Sequence, residues 1–168
     1  MMLRKRVNNM TNLILDVACG PKMFWFDKQH PDALYCDIRK ADFVVCDGRK
    51  ISVDPDMLCD YKSLPFDDNS FKIVVFDPPH LIRGEDNSWL VQKYGRLPIS
   101  WQEDLQQGFA ECMRVLASYG VLVFKWNETQ IKVGEIIAAV GHEPLIGHKS
   151  GKAMNTHWML FMKCGDRL

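Results

Sequence analysis

Asp16 leads into Val17-Ala18-Cys19-Gly20-Pro21, small residues that let a backbone turn tightly against a ligand. Asp37 follows twenty-one residues later, at the end of a second apolar run, where a nucleoside-binding sheet places the acid that accepts both ribose hydroxyls. The first loop lacks the G-x-G-x-x-G pattern that lets a backbone approach a pyrophosphate, which argues against a nicotinamide or nucleotide cofactor. A third segment, Phe76-Asp77-Pro78-Pro79-His80, ends a later apolar run; by itself Asp-Pro only marks a turn. The five histidines show no H-E-x-x-H spacing and the six cysteines no C-x-x-C pair, so the sequence argues against a metal enzyme.

The elements that must position these residues are legible as short apolar runs bounded by turns. Leu13 to Val17, Ala33 to Cys36, Met57 to Cys59, Ile73 to Phe76 and Val121 to Phe124 are continuously apolar, as strands buried on both faces of a parallel sheet are. Phe43 to Cys46 and Ile51 to Val53 flank Asp47-Gly48 as a small hairpin. A helix is predicted from Trp101 to about Leu116, opened by a Ser100/Glu103 capping box, with Trp101, Leu105, Phe109, Cys112, Met113 and Leu116 on one face. A second is predicted from Gln130 to Val140, stopped by Gly141. Glu143 to His148 and Thr156 to Met162 then read as a terminal antiparallel hairpin around Ser150-Gly151-Lys152. The predicted fold is α/β, a Rossmann-like, mostly parallel sheet with helices and a C-terminal antiparallel hairpin, whose ligands bind outside the carboxyl ends of the strands.

The chain of 168 residues is one domain, 1–168, with 1–11 as a flexible N-terminal tail. Lys and Arg balance Asp and Glu at 21 each, so any nucleic-acid site must come from local clustering rather than a global field. Arg4-Lys5-Arg6 is followed by residues too polar for a signal peptide, no run reaches membrane length, and the scattered cysteines suit a reducing cytosol; the expected location is cytoplasmic.

Beyond the third apolar run, Asp60-Tyr61-Lys62-Ser63-Leu64-Pro65-Phe66-Asp67-Asp68-Asn69-Ser70-Phe71 resembles the class I S-adenosylmethionine-dependent methyltransferases, in which L-P-F-x-x-x-S-F precedes the fourth strand. Glu111-Cys112-Met113-Arg114-Val115-Leu116 and Gly120 resemble the same family's E-x-x-R-V-L-x-x-G-G segment, and the motifs run in the family's order through most of the chain. The resemblance implies S-adenosylmethionine as cofactor, with Asp16, Ala18, Cys19 and Gly20 around its methionine portion, Asp37 on the ribose, Asp60 and the Tyr61 backbone on the adenine, and Lys22 as a candidate for the carboxylate. Two positions depart from the pattern: Ala18 stands in place of the first glycine of G-x-G-x-G and Lys22 in place of the last.

Asp77-Pro78-Pro79-His80 resembles the D-P-P-[YFW] motif of amino methyltransferases acting on adenine N6 or cytosine N4. An exocyclic amino group is a poor nucleophile because its lone pair is delocalised into the ring. The resemblance implies that the Asp77 carboxylate and the Pro78 carbonyl accept its two N–H bonds, with the prolines fixing the carbonyl direction. His80 replaces the usual stacking aromatic and can stack or accept a proton. The stretch between His80 and Trp101 carries Arg83, Trp89, Lys93, Tyr94 and Arg96, aromatics interleaved with cations as at a base and its phosphates, or else a partly helical lid. Lys125-Trp126-Asn127 is a further candidate wall.

No target-recognition segment accompanies this core, so a DNA or RNA substrate implies a protein partner, a structured RNA or low specificity; the overall pattern also resembles short stand-alone methyltransferases of bacteriophages. The same residues leave open a small-molecule or protein methyltransferase and a non-catalytic cofactor-binding subunit.

Overall fold

The computed structural model describes residues 13–45, 48–86 and 88–165. The predicted tail at 1–11, and Cys46 and Asp47 of the predicted hairpin, lie outside the described residues. The order of elements is β1 (Ile14–Asp16), β2 (Ala33–Asp37), β3 (Ala41–Val44), β4 (Lys50–Val53), β5 (Met57–Leu58), β6 (Phe71–Phe76), α1 (Trp89–Tyr94), α2 (Trp101–Val115), β7 (Leu116–Asn127), α3 (Val133–Val140), β8 (Ile146–Ser150) and β9 (Thr156–Met162).

Seven strands form one sheet in the order β5-β2-β1-β6-β7-β9-β8. It is parallel from β5 to β7, and β9 pairs antiparallel with both β7 and β8. The sheet is therefore the predicted one, with the C-terminal hairpin inserted so that β9 lies inside and β8 at the edge. β3 and β4 form a separate antiparallel pair where a crossover helix would otherwise stand.

One face of the sheet carries the main core. Leu15, Val74, Phe76, Leu122, Phe124, Met159 and Phe161 meet Leu105, Phe109, Cys112 and Val115 of α2 and Ile136 and Val140 of α3. Fully burying each large apolar side chain contributes about 1.5–3 kcal/mol, and truncating Phe109 to Ala would cost about 3–5 kcal/mol.

Two local expectations are corrected, and the partly helical alternative for 81–100 is the one observed. Ser100 is the N-cap of α2, with φ −81° and ψ 42°, outside the extended conformation usual for a cap, and its side chain makes no capping hydrogen bond. The second helix starts at Val133, three residues late; there Glu135 accepts from the Lys132 N–H at 3.1 Å, and Gly141 ends the helix at φ 70° as expected. The stretch 81–100 contains α1, capped by Ser88, whose hydroxyl accepts from Val91 N at 3.3 Å. Among the described residues no helix is long and apolar enough to cross a membrane.

Candidate functional site

A cavity of about 360 Å³ opens at the carboxyl ends of β1, β2, β6 and β7. The chain order reverses between β1 and β6, with β2 on one side and β7 on the other, and such a switch point leaves a crevice for ligands. One wall comes from Ala18, Cys19, Gly20, Asp37, Ile38 and Tyr61; the facing wall from Asp77, Pro78, Pro79, His80 and Lys125; and Lys93, Tyr94, Gly95 and Arg96 form a roof.

The first wall is fixed by backbone. Gly20 has φ +48°, a conformation that side chains rarely adopt, and its N–H donates to Asp37 Oδ2 at 2.9 Å. Arg39 N donates to Asp37 Oδ1 at 3.1 Å, and Cys19 N reaches Cys36 O at 2.8 Å. A carboxylate offers about four lone-pair sites, so Asp37 keeps acceptor capacity for a ligand's hydroxyls.

Asp16 is fully buried and lies outside the lining. It accepts from the Trp25 indole at 2.7 Å and from Ala18 N at 3.3 Å, which holds the turn. Burial pushes its pKa up to about 7 against those hydrogen bonds. Lys22, at φ +54°, also lies outside: its ammonium sits 4.0 Å from the centre of the Tyr35 ring, and it faces a second hollow behind the turn. Asp60 is outside as well, accepting from Lys62 N at 2.9 Å with the Lys62 ammonium at 3.8 Å.

Tyr61 does reach the cavity, because its hydroxyl donates to Asp104 of α2 and its ring lies over Gly108. A Cβ at Gly108 would stand 2.5 Å from Tyr61 Cδ2. The segment carrying Tyr61 is clamped from α2. The Arg114 guanidinium donates to Leu64 O at 2.9 Å and Phe66 O at 2.8 Å, while Glu111 accepts from Leu64 N at 2.8 Å. The two distant motifs E-x-x-R and L-P-F are thus halves of one contact.

The second wall is built of side chains. The Lys125 ammonium donates to Asp77 Oδ2 at 2.6 Å and lies 5.3 Å and 5.7 Å from the centres of the Phe24 and Trp158 rings. Burial raises the Asp77 pKa, and the Lys125 charge and hydrogen bond oppose that rise. The His80 ring centre is 5.0 Å from that of Tyr94 and 6.4 Å from that of Trp126, edge to face in the second case. Burial, assisted by the Lys125 charge, pushes the His80 pKa down to about 4, so the imidazole is a neutral ring at pH 7.

The roof is tied to the first wall. The last carbonyls of a helix lack intrahelical partners, and Arg39 donates to those of Gln92 at 2.7 Å and Lys93 at 2.8 Å. Arg96 donates to Gly84 O at 2.6 Å and pairs with Asp86 at 2.7 Å. Gly95 lies so close to the second wall that a Cβ there would stand 3.2 Å from Pro79 Cγ.

Of the residues singled out in the sequence, Ala18, Cys19, Gly20, Asp37, Tyr61, Asp77, Pro78, Pro79 and His80 share the cavity, and Asp16, Lys22 and Asp60 stand behind it. No sequence motif marks Arg39, Ile38 or the pairing of Lys125 with Asp77. Lys125 had a signal: Phe76 and Phe124 are partners on adjacent parallel strands, so Asp77 and Lys125 fall side by side one residue later.

No protein-family model matches the sequence, and no curated protein does. Solved structures share its fold. The PH0226 protein of Pyrococcus horikoshii OT3 superposes with a TM-score of 0.56 at 14% identity, covering 90% of this chain and 81% of that one. A SAM-dependent methyltransferase from Methanosarcina mazei gives 0.52 at 11% identity, over 90% and 92% of the two chains. The cyclase SpnF also gives 0.52 at 11% identity, over 90% and 74%. The chain therefore has a fold found in SAM-dependent methyltransferases, and one that a cyclase also uses, so chemistry must be argued from the site.

Proposed function

We propose that this protein transfers a methyl group from S-adenosylmethionine to an exocyclic amino nitrogen of a nucleic-acid base, adenine N6 or cytosine N4. The observation that carries the reading is that Asp77-Pro78-Pro79-His80 lines the same cavity as Gly20 and Asp37.

The lining fits the cofactor. About 360 Å³ lies within the usual range for a site of this kind, roughly 300–1,000 Å³. Asp37 has lone pairs for the ribose hydroxyls, and Ile38, 67% exposed beside it, offers an apolar surface for a flat purine. The Gly20 turn and Tyr61 bound the remaining length. When bound, S-adenosylmethionine supplies an electrophilic methyl on a sulfonium.

The chain's own part is orientation and charge. Asp77 Oδ1 and the Pro78 carbonyl would accept the two amino N–H bonds, leaving the nitrogen lone pair aimed across the cavity. Lys125, on Oδ2, holds the carboxylate in place and favours its ionised form against burial. The ionised carboxylate would then stabilise the positive charge that grows on the nitrogen as the N–C bond forms and the sulfonium S–C bond breaks to leave the thioether, and would take up the proton that the methylated nitrogen sheds. His80 and Tyr94 present rings on which a base can stack.

A second reading, a small-molecule acceptor, is favoured by the roof, which closes over the second wall. Incubation with methyl-labelled S-adenosylmethionine and separate DNA, RNA, protein and metabolite fractions decides between them. Label in nucleic acid, recovered after digestion as an N6-methyladenine or N4-methylcytosine nucleoside, is the expected result. Label confined to metabolites or protein would reject the nucleic-acid reading.

A further inference from the structure

Four cations and two carboxylates line the cavity: Arg39, Lys93, Arg96 and Lys125 against Asp37 and Asp77. Three of the cations are engaged. Lys125 is on Asp77, Arg39 on the two terminal carbonyls of α1, and Arg96 on Gly84 O and Asp86. Lys93 differs. It is 92% buried, given its 8% exposure, and no hydrogen bond or ion pair to any described residue satisfies its ammonium. Its one contact of note is with the Tyr94 ring, whose centre lies 4.8 Å from Nζ. Since that ring is 5.0 Å from His80, the charge lies on the acceptor side of the cavity.

Lysine is among the residues least often buried, and here the stem is covered while the ammonium, which is not among the side-chain atoms shut off from solvent, is left as an unpaired charge on a residue that lines the cavity. Neither carboxylate of the cavity pairs with it: Asp37 accepts from Gly20 and Arg39, and Asp77 from Lys125. An anionic group brought by a ligand would find in Lys93 a cation with no protein counter-charge among the described residues.

We propose that Lys93 is the seat for a phosphate of the methyl acceptor, so that the acceptor is a nucleotide, free or within a chain, rather than a bare nucleoside or neutral metabolite. The inference rests on the reading of this cavity as a methyl-transfer site and deepens it by naming the acceptor's anionic group. Lysine binds phosphate as a point charge with three donors, which tolerates either a monoester or a diester. The Arg39 clamp on the Lys93 carbonyl fixes the backbone from which the ammonium projects, so an ordered first wall and an ordered phosphate seat go together.

Calorimetric titration of the protein, saturated with S-adenosylhomocysteine, with adenosine, cytidine, their 5′-monophosphates and a short single-stranded oligonucleotide tests this. Either the monophosphates or the oligonucleotide should bind about tenfold or more tightly than the nucleosides, as a charge-assisted contact commonly provides. The first outcome identifies a free nucleotide and the second a chain phosphate. Lys93→Gln should remove the preference and Lys93→Arg restore it, with affinity for S-adenosylhomocysteine shifting less than twofold in both. Equal affinity for nucleosides and phosphorylated probes, no binding of any probe, or a loss of S-adenosylhomocysteine affinity in Lys93→Gln equal to the loss for nucleotides would overturn the inference. Should S-adenosylhomocysteine itself fail to bind, the reading of the cavity falls with it; should it bind without a phosphate preference, only the role of Lys93 falls.

Discussion

On the β1–β2 side of the cavity the carboxylate of Asp37 is held by backbone N–H groups of Gly20 and Arg39, whereas on the β6–β7 side that of Asp77 is held by a side chain, the Lys125 ammonium. Backbone donors remain when side chains change, so the first wall is a fixed seat suited to one unvarying ligand. The second wall and its roof are assembled from Lys125, His80, Tyr94 and Lys93, whose identities can change with the acceptor while the sheet beneath stays the same. Under the proposed function, cofactor binding falls to the first wall and acceptor chemistry to the second.

The sharpest way to break that division is Asp77→Ala. Methyl transfer to the true acceptor is expected to fall by about 10²–10³, the usual cost of one transition-state charge contact, while S-adenosylhomocysteine affinity stays within about twofold. Normal turnover by the variant would place the chemistry elsewhere. Asp37→Ala should do the converse on the first wall, weakening S-adenosylhomocysteine by about 1–3 kcal/mol in a calorimetric titration. An unchanged affinity would remove Asp37 from the cofactor site.

Behind the first wall, Asp16 gives a pH-dependent readout. Its folded pKa is raised to about 7 from 3.8, so between those values the folded state holds a proton that the unfolded state has released. Stability from this group is thus present at pH 4 and lost as pH rises to about 7. Asp16→Asn should flatten that descent, and melting temperatures measured from pH 4 to 8 with an unaltered slope would contradict the burial argument. The smallest effect is expected at His80. With its pKa depressed to about 4, the ring carries no proton between pH 5.5 and 8, so His80→Phe should retain transfer within a few-fold and leave the shape of the pH–rate profile unchanged. Abolished transfer would mean that the imidazole moves a proton.

The sheet and the first wall were largely legible in the sequence because their signals are local. Unbroken apolar runs mark buried parallel strands, and an acid or small residue just past such a run falls at the carboxyl edge, as Gly20, Asp37 and Asp77 do. Contacts across long sequence separations were not. Asp16, Lys22 and Asp60 carry the right types at the right spacing, yet Trp25, the Tyr35 ring and Lys62 draw them away from the cavity. Arg39 reaches α1 more than fifty residues on, a contact no periodicity announces. The Ser100 and Glu103 pair looked like a capping box, but Asp104 in the same turn binds Tyr61 and Lys62, and that tertiary contact accompanies an N-cap whose hydroxyl makes no bond.

The central claim is that the cavity between these walls binds S-adenosylmethionine, and titration of the wild-type protein with S-adenosylhomocysteine, followed by calorimetry and by the shift in melting temperature, tests it most directly. Saturable binding that raises the melting temperature by mass action, with NAD and ATP producing neither effect, is the expected result. Absence of binding at millimolar S-adenosylhomocysteine, or an equal response to NAD or ATP, would contradict it.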